Sequence, residues 1–145
     1  MSDGRILVTG AAGLIGFTLA ARLHAGGRPV IGMDQVAPAE AHDFPFIAAD
    51  LGDVHKLYQA LDQGVEGIIH CGAVSGPMLL LDNPRSIVQS NIMGSANIFE
   101  AARQRDLRRV VYCSSTSAYG DHPKGLEICT EETALNAVDI YGATK

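Results

Sequence analysis

Short, almost continuously apolar runs alternate along this chain with longer segments in which apolar residues recur at helical spacing. Runs of this kind are typical of parallel strands whose two faces are both covered by helices. The five runs that predict strands are residues 5–9, 29–34, 45–49, 67–71 and 109–113. The alternation of strands and helices predicts an α/β fold built on a doubly wound parallel sheet.

The helical segments lie between these runs. The three segments that predict full helices are residues 13–25, 53–61 and 84–104. Asp53 is a candidate N-cap, Pro84 suits a first helical turn, and the glycines at 26–27 are a plausible stop. Residues 35–45 and 120–138 are predicted to be irregular, and Asp139 or Ile140 should open a last, short helix. We treat residues 1–145 as one domain.

Composition narrows the class of protein. The chain has 145 residues, of which 47% are apolar and 19% charged, so it can bury a core. Its formal charge is −5 and it has no basic run, which argues against nucleic acid or an anionic membrane as partner. No segment approaches the roughly 18 apolar residues of a membrane span, and the N-terminus does not read as a signal peptide.

The cysteine pattern indicates a reducing compartment. The three cysteines, Cys71, Cys113 and Cys129, are widely spaced, and two of them fall in apolar runs. We expect reduced thiols and a cytoplasmic location. Since no His, Cys, Asp or Glu residues have convincing ligand spacing, we predict no metal site.

A glycine-rich loop joins the first predicted strand to the first predicted helix. Gly10 would allow the tight turn, Gly13 a close approach of backbone to a pyrophosphate, and Gly16 close packing of helix on strand. The helix start that carries Leu14 and Ile15 would present free N–H groups and a positive dipole to the anion. The sequence therefore predicts that residues 10–16 contact a dinucleotide.

Asp34 ends the second predicted strand, 24 residues after Gly10. A carboxylate at about this offset binds the ribose in dinucleotide sites, although a strand-end turn residue is the alternative. It would repel a 2′-phosphate, and residues 35–37 supply no arginine. This favours NAD over NADP.

Tyr141 and Lys145 lie four residues apart at the end of the chain. On one helix these positions share a face, where a phenol and an ammonium can form an acid/base pair. We predict that they do so.

With these features placed, the chain resembles the extended short-chain dehydrogenase/reductase family, in its NAD-dependent epimerase/dehydratase branch of UDP-glucose 4-epimerase-like enzymes. The motifs that carry the resemblance are TGAAGLIG from Thr9, Asp50-Leu51, His70-Cys71-Gly72-Ala73, Asn91-Ile92-Met93-Gly94-Ser95, SSTSAYG from Ser114 and YGATK from Tyr141. The resemblance implies a Rossmann fold. It also implies that the chain is truncated before the last helix and strand and before a C-terminal substrate domain.

The resemblance assigns catalytic roles. Tyr141 would exchange a proton with a substrate hydroxyl, Lys145 would bind the nicotinamide ribose, and Ser115 would hydrogen-bond the reacting oxygen. The rivals to Ser115 are Ser114, Thr116 and Ser117.

The remaining implied cofactor contacts each have a structural alternative. Asp50 and Leu51 would hold the adenine, although Asp50 could instead cap the helix near Asp53. Asn91 would act at the active site or serve simply as a polar residue of a long helix. The contacts implied beside the nicotinamide are Cys71, Gly72 and Ala73. The strand histidine, His70, is expected to be buried with its hydrogen bonds satisfied.

Together these features predict an NAD-dependent epimerase/dehydratase-type oxidoreductase acting on a hydroxyl of a sugar or sugar nucleotide. The alternative is a catalytically incompetent NAD-binding module that serves as a binder or scaffold. We expect the 145 residues alone to be inactive. We also expect them to self-associate as a homo-oligomer through an uncovered apolar sheet edge.

Overall fold

The five apolar runs all form strands, and the strands pair in parallel in one sheet. The computed structural model describes residues 4–75, 82–121 and 128–145. The strands are β1 (Arg5–Thr9), β2 (Val30–Asp34), β3 (Phe46–Ala48), β4 (Val65–His70) and β5 (Arg109–Tyr112). Their order in the sheet is β3-β2-β1-β4-β5. This order confirms the doubly wound Rossmann fold, with its topological reversal between β1 and β4.

Helices connect the strands as the periodicity predicts. They are α1 (Leu14–Ala25), α2 (Val54–Leu61), α3 (Pro84–Val88), α4 (Gly94–Gln104) and α5 (Ile140–Ala143). Asp53 caps α2 by accepting a hydrogen bond from the Lys56 N–H at 3.1 Å. Asp139 caps α5 in the same way, from the Gly142 N–H at 2.6 Å. Both capping carboxylates satisfy N–H groups that a helix start leaves unpaired.

The core lies on both faces of the sheet. On one face, Leu7 and Ile68 of neighbouring strands pack in one buried cluster with Leu57 of α2 and Ile98 of α4. On the other face, Val8 packs in a second cluster that includes Ala20 of α1. Burying both faces is what made the strands appear as continuous apolar runs.

The long predicted helix is interrupted in its middle. A π-helical turn, Gln89–Met93, separates α3 from α4 without ending the helical path. Turns of this type are rare and are often found at functional sites. The apolar spacing of residues 84–104 did not predict it.

The fully buried positions of the first helix are small residues, whereas two large residues of its first turn are exposed. Gly16 and Ala20 are its buried positions, whereas Leu14 and Ile15 are 88% and 63% exposed. The helix packs close to the sheet through its small residues, so its first-turn apolar side chains lie outside the core. Among the described residues, no helix is long and apolar enough to cross a bilayer.

Candidate functional site

A cleft of about 380 Å³ opens where the strand order reverses, at the carboxyl ends of β1, β2 and β4. Ligands of doubly wound folds bind at this reversal. Ten of the residues predicted to contact a cofactor line the cleft: Gly10, Gly13, Leu14, Ile15, Gly16, Asp34, Leu51, Cys71, Gly72 and Ala73. Lining residues that the sequence did not single out are Met33, Gln35, Ala49, Val74, Ser75 and Ser90.

Close backbone contacts leave no room for a side chain at two glycines of the loop. Gly10 has a φ of 69°, and a Cβ added to it would lie 2.7 Å from the carbonyl carbon of Cys71. A Cβ on Gly16 would collide with the carbonyl oxygen of Gly10. The loop after β1 is therefore in tight contact with both α1 and the segment after β4, and larger side chains would force these parts apart.

The start of α1 is unusually open to an anion. Its N-cap, Gly13, supplies no side-chain hydrogen bond, and the first turn contains no acidic residue. The first N–H groups of any α-helix lack partners within the helix, and the helix dipole places partial positive charge there. Since this end of α1 lines the cleft, it offers a site for a phosphate group.

Asp34 lies at the end of β2 and lines the same cleft. One carboxylate oxygen accepts a hydrogen bond from the Ala12 N–H at 3.0 Å. The carboxylate therefore supports the glycine loop, a role that the sequence did not suggest. Its next neighbour, Gln35, also lines the cleft and is uncharged.

The residues predicted to hold an adenine differ in their surroundings. Leu51 is buried at the cleft, and its carbonyl accepts a hydrogen bond from the Asn97 side chain at 2.9 Å. Asp50 is exposed outside the lining and accepts from the Gly52 N–H at 2.6 Å. The helix that follows is capped by Asp53 instead, so Asp50 stabilises the turn before it.

Asn91 lies in the π-helical turn and is almost fully buried. Its side-chain oxygen accepts from the Val74 N–H at 2.7 Å, and its amide donates to the Val74 carbonyl at 3.0 Å. The same amide donates to the Thr144 hydroxyl at 3.0 Å. One side chain thus connects the cleft wall after β4 to the segment that carries Tyr141. It does not itself line the cleft.

Tyr141 lies in α5 and Lys145 lies just after it. The helix ends at Ala143, with Thr144 as its C-cap. The Lys145 ammonium lies 4.4 Å from the centre of the Tyr112 ring. Tyr141 itself is buried. The acid/base pairing of Tyr141 with Lys145 stays a prediction.

The serine-rich segment after β5 lies beside α5. Ser115 caps the short 3₁₀ turn Thr116–Ala118, because its hydroxyl oxygen accepts from the Ser117 N–H at 3.1 Å. Ser114, its rival, donates its hydroxyl to the Lys145 carbonyl at 2.9 Å. The fold thus brings the three predicted catalytic residues to one region, next to the cleft but outside its lining.

His70 is fully buried at the end of β4 and, as expected, its hydrogen bonds are satisfied. The Ser95 hydroxyl donates to the Asn91 carbonyl, so it accepts from Nε2–H of His70 at 3.0 Å. Nδ1 must then be the acceptor, and the Thr9 hydroxyl donates to it at 2.6 Å. The Thr9 oxygen in turn accepts from the Gly72 N–H at 3.3 Å.

This arrangement keeps His70 uncharged. Burial, helped by the positive charge of Lys145, lowers the pKa of His70 to about 4. A neutral imidazole with one donor and one acceptor nitrogen fits both neighbouring hydroxyls. His70 therefore serves to hold the ends of β1 and β4 and the start of α4 together.

No cluster of three or more His, Cys, Asp or Glu residues that could hold a metal ion occurs among the described residues. The cleft combines a helix N-terminus with the Asp34 carboxylate. The model of the NAD dependent epimerase/dehydratase family matches residues 6–145. The chain belongs to this family.

Members of the epimerase/dehydratase family from several sources are similar to it. The UDP-glucose 4-epimerase of Mycolicibacterium smegmatis is 34% identical over 97% of this chain, which corresponds to 48% of that protein. The Thermus thermophilus UDP-glucose 4-epimerase, solved in complex with NAD, superposes with a TM-score of 0.86 at 29% identity, covering 97% of this chain and 47% of that one. MoeE5, solved with UDP-glucose and NAD, gives 0.87 at 28% identity, with 97% and 45% covered. The chain spans about half the length of the relatives it matches.

Proposed function

We propose that these residues form the cofactor-binding part of an NAD-dependent epimerase or dehydratase that acts on a hydroxyl of a sugar nucleotide. The observation that carries the proposal is the uncapped, acid-free start of α1 beside the Asp34 carboxylate in one cleft. The names of the relatives, UDP-glucose 4-epimerases among them, support the substrate class.

The cleft suggests how NAD would lie in it. The pyrophosphate would contact the start of α1, and Asp34 would accept hydrogen bonds from the adenosine ribose. The adenine would extend towards Leu51, and the nicotinamide towards the segment after β4 that begins at Cys71. A 2′-phosphate would meet Asp34 without a compensating arginine, since Gln35 is neutral. NAD is therefore the expected cofactor.

The residues beside the cleft would transfer the proton of the reacting hydroxyl. When bound, NAD supplies a hydride acceptor for the carbon that carries the reacting hydroxyl. Tyr141 would take the hydroxyl proton, Ser115 would hold the reacting oxygen, and Lys145 would bind the nicotinamide ribose and support the tyrosine's charge.

A second candidate function is NAD binding without turnover. It is favoured by the match, which covers this chain but only about half the length of its relatives. Substrate positioning supplies much of the lowering of an enzymatic barrier. We accordingly expect NAD binding, and no measurable epimerisation, from these 145 residues alone.

Titration calorimetry with NAD and NADP tests the cofactor assignment through Asp34→Asn. The amide retains an oxygen for the Ala12 N–H but removes the charge, so the glycine loop stays supported. We expect NAD affinity to fall about tenfold, as for the loss of a hydrogen bond to a charged group, and the preference over NADP to shrink. Asp43→Asn, at an exposed carboxylate outside the cleft lining, is the matched control. Equal affinities in both variants, or no NAD binding at all, would reject the assignment.

A further inference from the structure

Two thiols meet at the carboxyl edge of the sheet, where neither has a part in the proposed reaction. Cys71 follows β4 and Cys113 follows β5, and the last paired residues of these strands are His70 and Tyr112. The two sulfur atoms lie 3.5 Å apart. Both cysteines are partly buried, whereas Cys129 is exposed. Sequence reasoning missed this pair, because the two residues are 42 positions apart.

The backbone around the pair suits a disulfide. Neighbouring strands run about 4.7–4.9 Å apart, which lies within the Cα separation of about 4.4–6.8 Å found in disulfides. Closing the sulfur separation to a bond of about 2.05 Å requires a combined movement of about 1.5 Å. Both residues lie just beyond the ladder, and Gly72 follows Cys71, so side-chain rotation and small backbone shifts can supply that movement.

We propose that Cys71 and Cys113 are a reversible oxidation site, at which exchange with a low-molecular-weight disulfide such as oxidised glutathione closes an intramolecular disulfide at the floor of the cleft. In the first step the Cys113 thiolate attacks one glutathione sulfur, forming a mixed disulfide and releasing one glutathione thiolate. In the second, the deprotonated Cys71 attacks the Cys113 sulfur and releases the other glutathione. Two cysteine thiols are oxidised and one glutathione disulfide is reduced to two thiols, which take up the two protons.

The surroundings of Cys71 set the order of these steps. Burial and the hydrogen bond with Cys113 raise the pKa of Cys71 to about 12. A thiol that seldom ionises is a slow attacking group, so Cys71 acts second, when the mixed disulfide is held beside it. The same property favours the closed form at equilibrium, because the reduced state gains little from a stabilised thiolate.

The disulfide would also act on the cleft. Cys71 lines it, and the Cys71 N–H donates to the Thr9 carbonyl at 3.1 Å. Gly10 is in tight contact with the Cys71 backbone, so there is no free space between them. Drawing Cys71 towards Cys113 should disturb this contact and weaken NAD binding several-fold, a consequence that rests on the proposed function.

The test equilibrates the chain in buffers of increasing oxidised-to-reduced glutathione ratio, followed by acid quenching, alkylation and mass spectrometry. We expect a species in which Cys71 and Cys113 escape alkylation, because disulfide formation has removed their thiol hydrogens. It yields a linked peptide containing both cysteines and returns to the reduced form in excess reduced glutathione. The Cys129→Ser variant, which removes the exposed third thiol, should give the same linked peptide. In that background, Cys71→Ser and Cys113→Ser should instead give only a mixed disulfide at the one thiol that remains.

Three results would overturn the proposal: no closure even in a large excess of oxidised glutathione, separate glutathionylation of both cysteines, or linkage through Cys129. Should Cys71→Ser fail to fold, Cys113→Ser carries the same comparison from outside the cleft lining. Calorimetry on the oxidised form tests the coupling: unchanged NAD affinity rejects it. Absence of NAD binding in the reduced form would instead reject the proposed function and would not affect the proposal of a disulfide.

Discussion

The buried, neutral imidazole of His70 makes stability depend on pH at the scale of a single residue. Its pKa is about 4 in the folded chain, against 6.5 for an unperturbed imidazole. The unfolded chain therefore binds the extra proton first, and stability is lost as pH falls from 6.5 towards 4. Between pH 7 and pH 5 the loss should reach about 2 kcal/mol of unfolding free energy.

Urea unfolding at both pH values measures this loss. The variant His70→Gln should be less stable at pH 7, because it disturbs the bonds to Thr9 and Ser95, but its stability should change less between the two pH values. His55→Gln, at an exposed position of α2, should keep the wild-type dependence. A wild-type stability that is flat over this range would contradict the assignment of a neutral, buried imidazole.

Single-residue roles were predictable where the backbone alone defines them. The role of Gly10 follows from the tight turn after β1, and that of Gly16 from the close packing of α1 on the strand. The spacing of the glycines in the loop indicates both roles. Three roles had no such signal. They are the hydrogen bonds between Asn91 and Val74, the hydrogen bond from Ala12 to Asp34, and the contact between Cys71 and Cys113. Each joins residues far apart in sequence. Only the packed sheet brings those partners within hydrogen-bonding distance.

The contact between α1 and the glycine loop gives a test at the scale of elements. An added methyl group at Gly16 would meet the carbonyl oxygen of Gly10, and backbone cannot move aside as a side chain can. We expect Gly16→Ala to cost about 1–3 kcal/mol of unfolding free energy, as overpacking does, and to weaken NAD binding. Thermal and urea unfolding with calorimetry would measure both effects.

The matched control lies at the other end of the same helix. At Gly26, the C-cap, an added Cβ would lie 3.3 Å from the Arg22 carbonyl oxygen. A shift of a few tenths of an ångström relieves that contact, so Gly26→Ala should cost clearly less and leave NAD binding unchanged. Equal losses in the two variants would show that the Gly10–Gly16 contact has no special role.

Elements were more predictable than their ends. All five strands and the capped start of α2 followed from apolar runs and an N-cap. The π-helical turn at Gln89–Met93 was missed. It is stabilised by tertiary contacts of Asn91 rather than by a local pattern.

At the scale of the whole molecule, the strand reversal between β1 and β4 organises the site. It places the start of α1, Asp34 and the segment after β4 around one cleft, and β5 places the serine segment next to it. Beyond β5, the described sheet has no further strand.

That open edge carries the last prediction, which concerns self-association. Val111 in β5 is 48% exposed, and an unpaired strand edge with apolar side chains is a template for pairing with another chain. We expect the average mass in sedimentation equilibrium to rise with concentration. Val111→Lys should weaken association by about tenfold, or about 1.4 kcal/mol, because a charge on the edge opposes pairing. Val138→Lys, at a position 64% exposed and outside the sheet, should associate like the wild type. A concentration-independent monomer would contradict the role of the edge, and equal weakening in both variants would assign the association to net charge instead.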